Sequence, residues 1–465
     1  MTDKDYSKKW YILAAVSASA LMGTIDASIV NIALPTLSRH FSIDISQISL
    51  AVSSYLLVIT TFLIVAGRFG DLLGRKMVFI SGLAVFTVGS VLCGLSQSFY
   101  MLVGARVVQA MGGSMIAGNS SAIITDSFPT NERGKALGLI GTVVAIGLTM
   151  GPPLGGFIIE WLGWRFIFFV NIPVGIAAMT VCFKMIPKYG HSDKKSGLDI
   201  PGVILLPILL FSLIFAIDNI GEDGLWNPYF IVPMAVFLIA TIAFYIHESR
   251  AENPLINFEL FFRKRFLFSN IAGFLSYFSL IFVILLIPFF NEDLLGLNAA
   301  DSGKILLPLA LVSTIFAPLS GTISDRIGQR VLASAGLAVA AIGLYSLLTL
   351  DQFSSAGQVA FRLIIIGSGM GFFSTPNNSA IMGALPYDQR GLASGMLATV
   401  RNLGMAIGVA IGASLFSIWK NSYLAEGYNQ ETAFLKAFDH VMIIAIVSLV
   451  TGVIFSLTRG KETAS

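Results

Sequence analysis

The sequence predicts an all-α membrane protein of fourteen transmembrane helices, built as two six-helix bundles with two further helices inserted between them. Three observations predict it. The 465 residues are 55% hydrophobic and 12% charged, where soluble domains run near 25% charged. Fourteen apolar runs are long enough to cross a bilayer, which takes about 20 residues at ~1.5 Å rise. The motifs of the first six runs recur in the last six.

The first run extends from Trp10 to Leu34. Lys8, Lys9 and Ala18-Ser19-Ala20 have the look of a cleavable leader. The apolar run continues past the alanines, however, and more spans follow, so a retained first helix is expected. It carries Asp26 near its middle and Asn31 one and a half turns on. An ionised carboxylate in hydrocarbon costs several kcal/mol or more, so Asp26 faces a bundle interior, a partner or a water-filled cavity. A carboxylate in a dry cavity can take and lose a proton as access alternates. A fixed ion pair with Arg106 is the alternative. Asp26 and Asn31 stand ~140° apart on a regular helix, which argues against one shared ligand.

Further runs fall at 46–66, 77–96, 99–122, 135–159, 165–186, 200–219, 228–247, 267–290, 302–320, 331–350, 355–378, 391–417 and 437–458. The linkers alternate in charge. Most of the 29 Lys and Arg fall on one side, while the other side's loops hold Arg39, Arg165, Lys304, Lys420 and Lys436. The positive-inside rule then places both termini in the cytoplasm of a multi-pass cell-membrane protein.

After the second run comes GRFGDLLGRK, Gly67–Lys76. Gly67 and Gly74 allow tight turning. Asp71 can accept from a helix N-terminus or pair with an arginine, and Arg75 and Lys76 hold the inner side. GTISDRIGQR, Gly321–Arg330, repeats the pattern at one fixed offset, Asp71 to Asp325 and Gly74 to Gly328. Gln329 replaces Arg75 there, so the first latch is expected to matter more. A second set, Arg106, Ser121–Ile123, Arg133-Gly134, Gly138, Gly147 and Gly151, recurs as Arg362, Ser379–Ile381, Arg390-Gly391, Gly395, Gly404 and Gly408. The chain therefore divides into a bundle at 1–187, inserted helices and an inner loop at 188–265, and a second bundle at 266–465. Duplicated halves around a central site are a transporter's build.

In the fourth run Arg106, Gln109 and Gly113 fall on one helical stripe. Arg106 cannot shed its charge. Either it lines the cavity and takes part in proton coupling, or it is a structural arginine bound to carbonyls. Arg362 lies closer to a helix end and ranks lower. In the fifth run Gly147, Gly151 and Gly155 recur every fourth residue, with Pro152-Pro153 among them. Small residues at that spacing let helices touch backbone to backbone, and the prolines bend the helix. Packing alone would explain the glycines; glycines and prolines together suggest a close-packed, bent helix that blocks leakage. In the ninth run Phe274, Tyr277, Phe278 and Phe282 form a stripe facing lipid, core or cavity. Tyr277, Phe278, Asn377 and Asn378 are candidate cargo contacts. The basic stretch Glu248–Phe266 suits an interfacial helix or an irregular loop.

Other classes find little support. Cys93 and Cys182 lie inside apolar runs and the four histidines are dispersed. No HExxH, CxxC or GxxxxGK[ST] occurs. No metal, enzyme or nucleotide-driven pump is indicated.

Together these residues resemble the major facilitator superfamily over nearly the whole chain. The stretches Ile25–Pro35, Gly67–Lys76, Arg106–Gly113 and Gly147–Gly156 are similar to signatures of its fourteen-helix drug:H⁺ antiporters. The resemblance implies the major facilitator fold, proton coupling by Asp26 and Arg106, an inner gate at Asp71 and Arg75, and an antiporter seal at the fifth-helix glycines. Ala110 stands where that family often has glycine. Family pumps for polyvalent cations often carry further acids inside cavity helices, and here Asp26 stands alone, which points to apolar or amphipathic cargo. The expected protein is a monomer in the lipid bilayer that exchanges protons for a small-molecule substrate, uses the proton gradient and no cofactor, and binds no nucleic acid. A specific metabolite or lipid exporter, or a non-transporting receptor, are the rivals.

Overall fold

The computed structural model describes residues 7–129, 132–186, 199–219, 227–251, 262–385 and 390–460. Among the described residues fourteen helices are long and apolar enough to cross a membrane, the sixth counted together with the turn Phe166–Phe169 that leads into it. They are α1 (Lys9–Phe41), α2 (Ile45–Leu73), α3 (Arg75–Gly94), α4 (Phe99–Ser127), α5 (Arg133–Leu162), α6 (Asn171–Met185), α7 (Ile200–Asp218), α8 (Pro228–Glu248), α9 (Lys264–Phe289), α10 (Ala299–Ile327), α11 (Gln329–Leu347), α12 (Ala356–Gly383), α13 (Arg390–Ala425) and α14 (Gln430–Thr458). A single turn, Phe166–Phe169, precedes α6, and a π-turn, Phe290–Leu294, follows α9. The expected fourteen spans are therefore present. The interfacial segment suggested at Glu248–Phe266 falls mostly outside the described residues.

The duplication seen in the sequence is a duplication of local chemistry. Asp44 caps α2 by accepting from the Gln47 N–H at 2.7 Å, and Asn298 caps α10 by accepting from the Asp301 N–H at 2.8 Å. Ser98 caps α4 and Ser355 caps α12, the latter in a reciprocal box with Gln358. Such caps are each worth about 1 kcal/mol. Gly74 ends α2 and starts α3 at φ +97°, and Gly328 does the same between α10 and α11 at φ +90°. Any other residue would be strained in that conformation.

Packing repeats as well. Gly82 and Gly112 bring α3 and α4 into backbone contact, and Gly336 and Gly369 do the same for α11 and α12. In lipid no hydrophobic force drives helices together, so close van der Waals approach between small residues holds such pairs.

Each six-helix unit meets the other along two seams, α5 against α10 and α2 against α13. The inserted α7 lies on the second seam, touching α2 and α13, and α8 packs on α7. Leu206, Leu210, Ile214 and Ile217 of α7 join the main core, whereas much of α8 is exposed apolar surface. The inserted pair is thus peripheral, with α7 laid along the outside of a seam.

The halves close on one face. Both ends of the described chain lie on what we call the terminal face. On the opposite face, Arg39 at the end of α1 pairs with Glu292 after α9. Gly156 of α5 lies against the Ala299 carbonyl, and Gly303 of α10 lies against Pro152. At mid-length Thr149 and Thr314 share a hydrogen bond of 3.1 Å. Among the described residues no ion pair bridges the halves on the terminal face.

Candidate functional site

The geometry converges on Asp26. Its Oδ2 accepts from Arg106 Nη1 at 2.6 Å. Its Oδ1 accepts from Gln109 Nε2 at 2.8 Å and from Asn171 Nδ2 at 2.7 Å. Three donors from two helices thus converge on one carboxylate. Arg106 also donates to Gln109 Oε1 at 2.6 Å and, through Nε, to the Ala51 carbonyl at 3.2 Å. Its guanidinium lies 3.8 Å from the Tyr55 ring centre, a cation–π contact. Ser90 Oγ accepts from Gln109 at 2.8 Å, and Cys93 lies 3.7 Å from Gln109 Oε1.

Five elements supply this cluster: α1, α2, α3, α4 and α6. Asp26, Arg106 and Gln109 are all 0% exposed. The pair therefore sits inside the first bundle, walled by Tyr55 and Phe168, and in this conformation it does not open onto a cavity wall. The helical stripe holds as far as Gln109. Gly113, one turn further, faces the Tyr55 hydroxyl, which has no partner. Asn31 stands apart, donating to the Ala27 carbonyl at 3.2 Å with its own oxygen unpartnered.

The repeat position behaves differently. Arg362 binds the Ser346 and Gln358 carbonyls and Thr349 Oγ1, with no carboxylate. Both arginines lie about two turns into their helices, which start at Phe99 and Ala356; Arg106 meets Asp26 of α1, whereas Arg362 meets the Ser346 carbonyl at the end of α11.

The loop between α2 and α3 holds a charged triad. Arg75 Nη2 is 2.8 Å from Asp71 Oδ1, and Nη1 is 2.6 Å from Asp126 Oδ2 at the end of α4. Gly67 lies beside Gly118, and Gly70 lies under the Asn119 side chain, so α2 and α4 touch. In the second copy Gln329, at the position of Arg75, accepts from Arg265 Nη2 at 2.9 Å. Asp325 is exposed and forms no ion pair among the described residues.

The glycines of α5 face α1. Gly147 lies on Thr24 and the Leu21 carbonyl, Gly151 on Ser28 and Ile29, and Gly155 on Ile29 and Ile32. Gly404, Gly408 and Gly412 of α13 face α9 in the same manner, against Phe274, Phe278 and Phe282. The prolines do not interrupt α5, which is helical from Arg133 to Leu162.

Among the expected cargo contacts, Phe278 is buried between Phe274 and Phe282, and Tyr277 is half-buried beside Gly404. Asn377 donates to the Ser269 carbonyl at 3.0 Å and accepts from Arg459 at 3.2 Å. Asn378 is exposed. Sequence reasoning missed Asn171, Tyr55, Ser90 and Asp126. None of the four carries a sequence signal that singles it out; the nearest to one is Asn171, an amide among apolar residues.

A duplicated helical bundle whose halves pack along two seams, close on one face and bury an ion pair inside a membrane-crossing helix has the architecture of a membrane carrier. The chain belongs to the major facilitator superfamily, whose sequence profile matches residues 16–409, and it is a transporter of that superfamily. It is 34% identical over 456 residues to the riboflavin transporter RibZ of Clostridioides difficile, covering 98% of each chain. It is 30% identical over 415 residues to the multidrug resistance protein Stp of Mycobacterium tuberculosis, covering 89% of this chain and 76% of the other. In fold it is similar to an inward-facing bacterial homologue of the human lysosomal transporter Spinster, with a TM-score of 0.72, 16% identity and 98% coverage of both chains.

Proposed function

We propose that the protein is a proton-coupled exporter of apolar or amphipathic small molecules. The observation that carries this reading is the buried Asp26–Arg106 pair, fed by Gln109 and Asn171, within a fold that closes on one face. The excess of Lys and Arg on the terminal face supports a cytoplasmic placement for it, which turns the closed face outward. Asp26 protonated from outside is neutral and frees Arg106, and cargo leaves. Facing inward, Asp26 returns its proton as cargo binds. Alternating exposure of one carboxylate suffices for antiport, because each protonation state favours a different packing of the bundle.

The test is ethidium efflux from membrane vesicles under an imposed pH gradient, wild type beside Asp26→Asn. Efflux that tracks the gradient and is lost in the variant supports the reading. Efflux that persists in Asp26→Asn removes Asp26 from coupling.

A second reading has its own support. The relative covering 98% of both chains is a riboflavin transporter, which favours a single heteroaromatic metabolite over a broad drug range. Competition of ethidium efflux by riboflavin and by unrelated amphiphiles separates the two.

A further inference from the structure

Glu292 belongs to the π-turn that ends α9, and its side chain is 1% exposed. Arg39 of α1 donates to its Oε2 across the junction of the two bundles. The other oxygen, Oε1, is buried without a partner. Arg39 itself is 56% exposed, and its Nη1 lies 3.7 Å from Asp293 Oδ1. The remaining charges facing the site are Glu160 of α5 toward Glu292, and Lys420 of α13, which balances Asp293 and Asp44. Asp301 and Lys304 of α10 pair with each other at 2.7 Å. A buried carboxylate with one cation on one oxygen, an orphaned second oxygen and two acids nearby is poorly compensated. Its pair with Arg39 also spans the halves on their closed face. The Asp26 cluster, by contrast, lies wholly within one bundle.

We propose that Glu292 is a second proton-binding carboxylate, loaded from the face opposite the termini, and that its ion pair with Arg39 is the lock that keeps that face shut. A proton from water on that face adds to Oε1. Glu292 becomes neutral, the charge–charge attraction to Arg39 is lost, and the half-exposed Arg39 turns out into water, beyond its long 3.7 Å approach to Asp293. On that face the α5–α10 seam then keeps the apolar and backbone contacts of Gly156, Ala299, Gly303 and Pro152 but loses its buried ion pair. Acidity on that face thus opens it. This inference rests on the carrier architecture and not on the role given to Asp26.

The experiment places spin labels at Gln47→Cys and Asn421→Cys, exposed positions at the start of α2 and the end of α13. Pulsed-resonance distances are read on the full-length protein in lipid nanodiscs between about pH 8 and pH 5. In the otherwise wild-type protein a longer distance grows in as pH falls. Glu292→Gln shows the longer distance at every pH, with about a tenfold higher open fraction at the alkaline end. Arg39→Gln does the same, and Glu292→Asp retains the pH response. Asp26→Asn also retains it, which separates this lock from the coupling assigned to Asp26. A pH response that survives unchanged in Glu292→Gln, or a Glu292→Gln protein that stays closed at all pH, overturns the proposal.

Discussion

Arg106 Nη1 stands 2.6 Å from Asp26 Oδ2, and neither residue is reached by solvent. The two charges thus depend on each other. Breaking a buried pair by removing one partner costs about 3–5 kcal/mol, because the survivor stays charged and uncompensated. Asp26→Asn is expected to lower the thermal midpoint of the detergent-solubilised protein clearly, as well as to abolish gradient-driven efflux. Asp26→Asn combined with Arg106→Gln removes both charges and should recover much of the midpoint while efflux stays uncoupled. A scan of the two variants beside wild type checks both statements. A double variant less stable than the single would show that Arg106 is held chiefly by Ala51, Gln109 and Tyr55.

Asn171 is expected to matter nearly as much as Gln109. Its amide gives Asp26 Oδ1 one of its two hydrogen bonds, at 2.7 Å from a buried position. A hydrogen bond to a charged group contributes about 1.5–3 kcal/mol. Asn171→Ala should therefore cost stability in that range and reduce coupled efflux about tenfold, with Asn171→Gln partly restoring it. Initial rates in vesicles and a denaturation midpoint read the two effects separately.

Particular residues show what could be seen in advance. Asp26 and Arg106 were legible because a charge inside an apolar run has few permitted surroundings. Gly74 and Gly328 were legible because a duplicated glycine at a helix junction implies a duplicated backbone conformation, found at φ +97° and +90°. Asn171 was not, because a neutral amide at the edge of a span reads equally well as a cap or a surface residue. Asp126 reads as a solvated helix-end acid until folding brings α3 beside it. Glu292 was hidden because apolarity falls away near residue 290, so an acid there looks like loop. Its burial comes from the opposite bundle, a long-range fact that no local pattern carries. The Arg75 triad and the Glu292 pair thus share one property: each is completed by an element distant in the chain.

Asp126 should reproduce the phenotype of Arg75. Both ion pairs of Arg75 lie at a partly exposed surface, and such pairs contribute about 0–1 kcal/mol each. Arg75→Ala and Asp126→Asn are accordingly expected to leave the unfolding midpoint within about 2 °C of wild type. Their effect should appear in transport instead, as slower efflux with unchanged cargo affinity, because the triad ties α4 to the loop between α2 and α3. Binding of a fluorescent cargo to purified protein, set against vesicle efflux, distinguishes a lost latch from a lost fold.

Gly151 and Gly141 lie on the same helix and make opposite predictions. A Cβ at Gly151 would overlap Ser28 Oγ and crowd the Ile29 N–H, whereas a Cβ at Gly141 would meet nothing within 4 Å. Overpacking a tight contact costs about 1–3 kcal/mol, and replacing an uncrowded helical glycine by alanine gains up to about 1 kcal/mol. Gly151→Ala should push α5 off α1, weaken the Ser28–Gly147 hydrogen bond of 3.3 Å, and let protons leak in the absence of cargo. Gly141→Ala should be as tight and as active as wild type, or slightly more stable. Proton uptake by cargo-free proteoliposomes reports the leak directly. Equal leak in the two variants would mean that the α1–α5 contact serves packing alone, because both substitutions add the same methyl group and differ only in what it strikes.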